Sequence, residues 1–197
     1  MRSPKIEASR RPTPARFGER LTLTLPHPEL GASFVMALEE GFQLGDGQIK
    51  TALEIAAIEA ALVPYLTLLN AQGGTVALPN GAAVECVPHS QLWLTDGKAF
   101  LGTFNIRYRL TPSLRLRGGH IGYAIRPSRH GQGLATAGLR LALEHARAAG
   151  IGRVLITCAD ANPASARVIE RNGGRLEAIL PDPQRRDGLF RRYWIED

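Results

Sequence analysis

The chain has 197 residues, 44% hydrophobic and 21% charged, which excludes a disordered or fibrous protein and suits a soluble globular domain. The net charge of +6 favours acidic partners such as phosphates or nucleic acid, yet residues 1–20 alone set six Lys and Arg against Glu7 and Glu19. That segment also holds Pro4, Pro12 and Pro14 and has no apolar period, so residues 1–19 read as a disordered basic arm and 20–197 as a single domain. The two cysteines, Cys86 and Cys158, form no CxxC pair, which points to a reducing, cytoplasmic setting. No apolar core follows the basic start, as a secretory signal would require. The longest apolar tract, TALEIAAIEAALVPYLTLLNA, is interrupted by Glu54, Glu59 and Pro64, which speaks against a membrane span.

Along the chain, RLTLTLP alternates on Leu21, Leu23 and Leu25 with period two and predicts a strand. PELGASFVMALEE predicts a short helix ending near Gly41, and TALEIAAIEAALVPYLTLLN a second helical region broken or kinked at Pro64. AQGGTVALPNGAAVE reads as a loop or weak hairpin. QLWLTDGKAFLGTFNIRYRL gives two strands joined at Asp96-Gly97, and HIGYAI a third. GLATAGLRLALEHARAAG is an amphipathic helix with Arg140, Glu144 and Arg147 along its polar stripe and Gly150 as its stop. RVLITC has the apolar run of a strand buried on both faces, as a parallel strand would be. NPASARVIERNGG is a helix capped by Asn162 with Pro163 at its first position. RLEAIL and LFRRYWIE close the chain as strands. The fold class is α/β (mixed α+β), in the order β-α-α-β-β-β-α-β-α-β-β.

Gly131 and Gly133, in RPSRHGQGLAT, stand between the strand HIGYAI and the helix that starts at Leu134. Such a junction can be a tight turn and nothing more. It can also be an anion site, because a helix N-terminus presents unpaired N–H groups and partial positive charge, and glycines let a phosphate approach them. A P-loop is excluded for want of GxxxxGK[ST], and a dinucleotide fingerprint because Thr136 stands where its last glycine would be. Cys86-x-x-His89 lacks a second ligand pair, so no metal is called for. Arg126, Arg129 and Arg167 are either solvated or turned to phosphates. A nucleic-acid site would need aromatic interleaving that the basic arm lacks.

IGYAIRPSRHGQGLATAGLRLALEHA, RVLITCADANPASARVIERNGG and the closing RRYWI resemble the GNAT superfamily of acyl-CoA-dependent N-acetyltransferases, most closely a bacterial branch carrying GGHIGY-IRPS. The likeness is close over residues 118–178 and looser over 89–117 and 179–197. It implies a central mixed sheet of about seven strands flanked by helices, with acetyl-CoA as cosubstrate. Backbone amides of Gly131, Gln132, Gly133, Leu134 and Ala135 would hold the pyrophosphate, with His130 where the family carries Arg or Gln. The YAI strand would splay from RVLITC and offer Ala124 and Ile125 to the pantetheine arm or to the developing oxyanion. His120, Gly122 and Ala124 alternate onto one face, where the small residues leave room either for a ligand or for a packed helix. Asn162 and Ser165 match the family's cofactor-side helix start, where capping alone also accounts for them.

His120 falls where many members carry a glutamate base, and a histidine titrates in the right range to deprotonate an ammonium. The family's acid, a tyrosine seven residues after the asparagine, is here Ile169. Tyr193 is the candidate replacement, with Tyr123 and Cys158 behind it. The implied reaction is transfer of acetyl from acetyl-CoA to a primary amine of a small molecule, protein or peptide, in a direct ternary complex. A homodimer is compatible with this reading. The alternative is a coenzyme A-binding sensor without efficient catalysis.

Overall fold

The computed structural model describes residues 21–44, 47–71, 74–77, 83–183 and 187–196; the basic arm expected over 1–19 lies outside the described residues. Strand β1 (Thr22–Thr24) leads into three helices, α1 (Gly31–Glu39), α2 (Ala52–Ala60) and α3 (Leu62–Leu69). Thr51 begins α2 with a capping box: its hydroxyl accepts from the Glu54 N–H while the Glu54 carboxylate accepts from the Thr51 N–H. The break between α2 and α3 falls at Ala61, with a bend of 94°, and not at Pro64. Pro64 sits in the first turn of α3, where a missing N–H costs nothing. The bend lets Ile55 of α2 and Leu66 of α3 enter one core with Phe34, Leu38, Phe42, Trp93 and Phe100. Among the described residues no single helix is long and apolar enough to cross a membrane.

The expected weak hairpin is β2 (Gly74–Ala77) paired antiparallel with β3 (Ala83–Cys86). Next come β4 (His89–Thr95) and β5 (Phe100–Arg107), turned at Gly97 with φ of 92°. A short helix that the sequence pattern did not reveal, α4 (Pro112–Leu116), follows behind a Thr111 cap. Five residues are too few to display a helical period. Then β6 (Ile121–Ile125), α5 (Leu134–Ala148), β7 (Arg153–Ala159), α6 (Pro163–Arg171), β8 (Arg175–Pro181) and β9 (Leu189–Glu196) complete the chain. The expected seven strands form two sheets, β1-β4-β5-β6 and β7-β9-β8. Strand β7 is buried as its composition implied, but its ladder partner is the antiparallel β9.

Helix α5 packs on one face of the first sheet, with Leu134, Leu139, Ala142, Leu143 and Ala146 against Leu94, Phe104 and Ile106. Gly138 makes this approach close, because a Cβ there would meet the Phe104 ring. The opposite face, through Trp93 and Ala124, packs on α1–α3. The sheet is therefore a wall between two layers, and β6 is its edge toward β7.

Candidate active site

Strands β6 and β7 meet at one point. His120 donates its N–H to the Leu155 carbonyl (2.7 Å), and Gly119 bridges to Ile156. Gly119 has φ of 71°, and a Cβ there would run into the Leu155 carbonyl, so this contact accepts no other residue without movement. Beyond it, no ladder joins β6 to β7, so the edge of β6 that faces β7 has no strand partner, and this unpaired edge is the opening between the two sheets.

The backbone of β6 is poised toward that opening. At the ends of the β5–β6 ladder the Arg107 N–H donates to the His120 carbonyl (2.8 Å) and the Arg126 N–H to the Leu101 carbonyl (2.9 Å). Polar groups alternate between a strand's two edges. With Gly122 opposite Asn105 and Ala124 opposite Thr103, the even-numbered residues are spent on β5. Ile121, Tyr123 and Ile125 turn theirs to the opening. Of the expected pair Ala124 and Ile125, only Ile125 thus presents its own N–H there, and Tyr123 is the neighbour that the sequence pattern did not single out as a backbone donor. The Ile125 carbonyl is occupied, because His130 Nε2–H donates to it at 2.8 Å. His130 therefore commits its ring to β6.

At the far end of β6 the chain makes a short turn over Pro127–Arg129 and enters α5. Gly133 is the N-cap of α5 with φ of 81° and no side-chain cap, and Gly131 has φ of 75°. A Cβ at either would meet nothing within 4 Å. The first-turn N–H groups of Leu134 and Ala135, as at any helix start, have no intrahelical acceptor, and the helix dipole is positive there. Asn162 caps α6 by accepting from the Ser165 N–H (3.0 Å). The Ser165 hydroxyl exchanges a hydrogen bond with the Tyr123 hydroxyl (2.9 Å), a link from β6 to the helix that follows β7. Ile125 and residues 130–135 thus follow one another from the end of β6 into α5, and the Tyr123–Ser165 and Asn172–Thr136 hydrogen bonds tie β6 and α5 to α6.

The side chains expected to do chemistry are placed differently. His120 Nδ1 accepts the Leu155 N–H at 2.9 Å, so the neutral ring carries its hydrogen on Nε2. Burial, then the charges of Arg115 and Arg107, push its pKa below the ordinary histidine value. Its backbone and ring together clasp β6 to β7. Tyr193 is wholly buried, and its hydroxyl donates to Glu170 Oε1 (2.9 Å). Ile169 is equally buried in the core of α5, α6 and β7. Tyr123 stacks on Phe104, and burial holds its hydroxyl protonated, with the pKa pushed up to about 12.

Arg126 is neither solvated nor turned to a phosphate. It is 6% exposed and donates to both Glu40 carboxylate oxygens, to the Ser33 hydroxyl (3.0 Å) and to the Ser33 carbonyl. Glu40 also accepts from the Ser128 N–H. These bonds, Arg126 foremost, hold the Glu40 carboxyl down at about 2. The network ties the end of α1 to the turn before α5. No sequence pattern marks it, because Glu40 and Arg126 lie 86 residues apart.

Residues 80–175 match the family model of the acetyltransferase (GNAT) domain, and solved acetyltransferases share the fold. Over this span, just under half of the chain, the sequence is similar to the GNAT acetyltransferase domain. Mycobacterium smegmatis RimJ, in complex with a CoA disulfide, is 19% identical at a TM-score of 0.60, covering 89% of this chain and 81% of that one. The microcin self-immunity acetyltransferase MccE, with acetyl-CoA and AMP, is 12% identical at 0.59, covering 95% and 98%. RimL, a ribosomal-protein α-N-acetyltransferase in complex with coenzyme A, is 16% identical at 0.57, covering 89% and 93%. No curated protein matches the chain.

Proposed function

We propose that this protein transfers the acetyl group of acetyl-CoA to a primary amine in a direct ternary complex, in the cytoplasm. The observation that carries the reading is the open N-terminus of α5, with Gly131 and Gly133 at positive φ facing free space beside the gap between β6 and β7. The pyrophosphate would sit on the amides from Gly131 to Ala135, and the pantetheine arm would run along the free edge of β6. The Ile125 N–H would then meet the charge that develops on the thioester oxygen. Asn162 and Ser165 would line the same gap from α6. Bound acetyl-CoA supplies the activated acyl carbon; this chain supplies anion binding, orientation and a dipole for the oxyanion.

For the departing thiolate we assign the proton to Tyr123, and not to Tyr193, the first candidate to replace the acid missing at Ile169. Tyr123 stands on β6 with its hydroxyl at the α6 N-terminus, whereas that of Tyr193 is spent on Glu170. His120 acts here as a positioning residue, and the amine is deprotonated by water or arrives neutral. The burial of Ile169 where the family keeps its acid favours a second reading, a coenzyme A sensor. Calorimetry with acetyl-CoA tests the common element: Gly133→Asp should abolish binding and leave the far-UV spectrum unchanged, while unaltered affinity would refute the cradle. Thiol release on offering amines separates the two readings. Tight binding with no release across amine classes would favour the sensor.

A further inference from the structure

The acceptor side of β6 carries a charge that folding leaves unmatched. Residues directly opposite in a ladder share a face, and the register places His89, Arg107 and His120 in one row and Gln91, Asn105 and Gly122 in the next. The third row, Trp93, Thr103 and Ala124, passes under the aromatic cluster of α1–α3. The first two rows are partly buried and polar. Asn105 Nδ2 donates to Gln91 Oε1 (2.9 Å), which fixes the floor. The Arg107 guanidinium lies over Gly122, where a Cβ would stand 3.8 Å from Nη1 and 4.0 Å from Nη2. Its described hydrogen bond runs from Nη1 to the Gly119 carbonyl (3.1 Å). Among the described residues no carboxylate pairs with it, and burial alone lowers its pKa. A partly buried cation without an anion is costly unless a ligand supplies one.

We propose that Arg107 selects the acceptor: the amine substrate carries a carboxylate, separated from its amine by several bonds, which the Arg107 guanidinium binds. This rests on the acetyl-transfer reading above. The spacing follows from strand geometry, because Gly122 and Ile125 are about 10 Å apart at ~3.3 Å per residue. A carboxylate on Arg107 would then leave the amine near the thioester held at Ile125. The same positive charge repels a polyamine, whose further ammonium groups would meet Arg107 and Arg115.

The test is a matched panel in the thiol-release assay: an ω-amino carboxylate, an acidic peptide with a free N-terminus, their carboxamide counterparts and a polyamine. The carboxylate arm should exceed the carboxamide arm about 10- to 100-fold in kcat/KM, as loss of a charge-assisted pair implies. Arg107→Gln should erase that preference by raising KM for carboxylates, with acetyl-CoA affinity retained as the control for folding. Arg107→Lys should restore part of it. Preference for the carboxamides or the polyamine, or no turnover in the carboxylate arm, overturns the proposal. Failure of the wild-type protein to bind acetyl-CoA in calorimetry would instead refute the reading beneath it.

Discussion

The two sides of β6 are built from different materials. Toward β7 the proposed cofactor site consists of main chain: the free edge of one strand, a glycine turn and the starts of α5 and α6, contained within residues 118–165. Toward α1–α3 the proposed acceptor face consists of side chains brought into register, His89 and Gln91 from β4, Asn105 and Arg107 from β5 and His120 just before β6, over the bare Gly122. A main-chain site binds what every acetyl-CoA offers, a pyrophosphate and an amide-bearing arm. A side-chain face can change with its acceptor while the first side stays constant. Substitutions on the shared strand should therefore divide into those that damage the frame and those that touch one side only.

The largest effect is expected at the contact from which the opening begins. Gly119→Val drives a side chain into the Leu155 carbonyl at a positive φ. It should cost about 4 kcal/mol in urea unfolding and remove acetyl-CoA binding with it. Gly133→Ala also falls at a positive φ but with open space around it, so only about 1 kcal/mol should be lost. Equal losses would show that strain, not the contact with Leu155, sets the frame.

Next in size is the Arg126–Glu40 pair, which joins the acceptor-side helix α1 to the turn before α5. Glu40→Ala leaves a guanidinium 6% exposed without its anion, at a cost of about 2–3 kcal/mol. Because the folded carboxyl titrates near 2, below its unfolded value of 4.5, the pair stabilises the protein above pH 4.5. That contribution fades as the pH falls toward 2. Glu40→Gln should flatten this part of the acid limb, and an unchanged limb would place the acid sensitivity elsewhere.

The same division explains what was legible in the sequence. The frame of the proposed cofactor side was readable because its strand, its two glycines and its helix start all lie within a dozen residues. Strand and helix identities followed from period, and the Asn162 cap from its Pro163 neighbour. Partners that lie far along the chain leave no such mark. Nothing local to Arg126 announces Glu40, and nothing local to Arg107 says that it lies over Gly122. His120 illustrates the limit best: its position suggested a base, but only the fold shows that the Leu155 N–H occupies Nδ1. Pro64 misled for a physical reason, since proline breaks a helix in its interior and not in its first turn.

His120→Leu removes an acceptor from a partly buried N–H and should cost about 1–2 kcal/mol, whereas His120→Asn can keep the bond. The lowered pKa means that the unfolded chain takes up a proton more readily than the folded one. Stability should therefore fall as the pH drops below the ordinary histidine range, and His120→Asn should remove that slope. If His120→Asn also keeps kcat/KM and its pH profile, the residue is a clasp. A lost near-neutral limb in the rate would make it the base.

Tyr123→Phe should have the smallest effect on the frame and the most one-sided effect on function. The ring and its stack on Phe104 remain, and only the hydroxyl bonds to Ser165 are lost, so about 1 kcal/mol or less should disappear at neutral pH. The alkaline limb gives a cleaner measure. The folded hydroxyl titrates near 12, against 10 for an ordinary tyrosine, so its contribution is complete below pH 10 and is lost as the pH rises toward 12. Tyr123→Phe should flatten that fall in part, with the remainder belonging to Tyr193, whose pKa burial also raises. If Tyr123 delivers the proton to the leaving thiolate, kcat should fall about 100-fold while acetyl-CoA affinity stays within a factor of a few. Equal losses in kcat and acetyl-CoA affinity would instead make the hydroxyl a brace between β6 and α6 that shapes the opening without entering the chemistry.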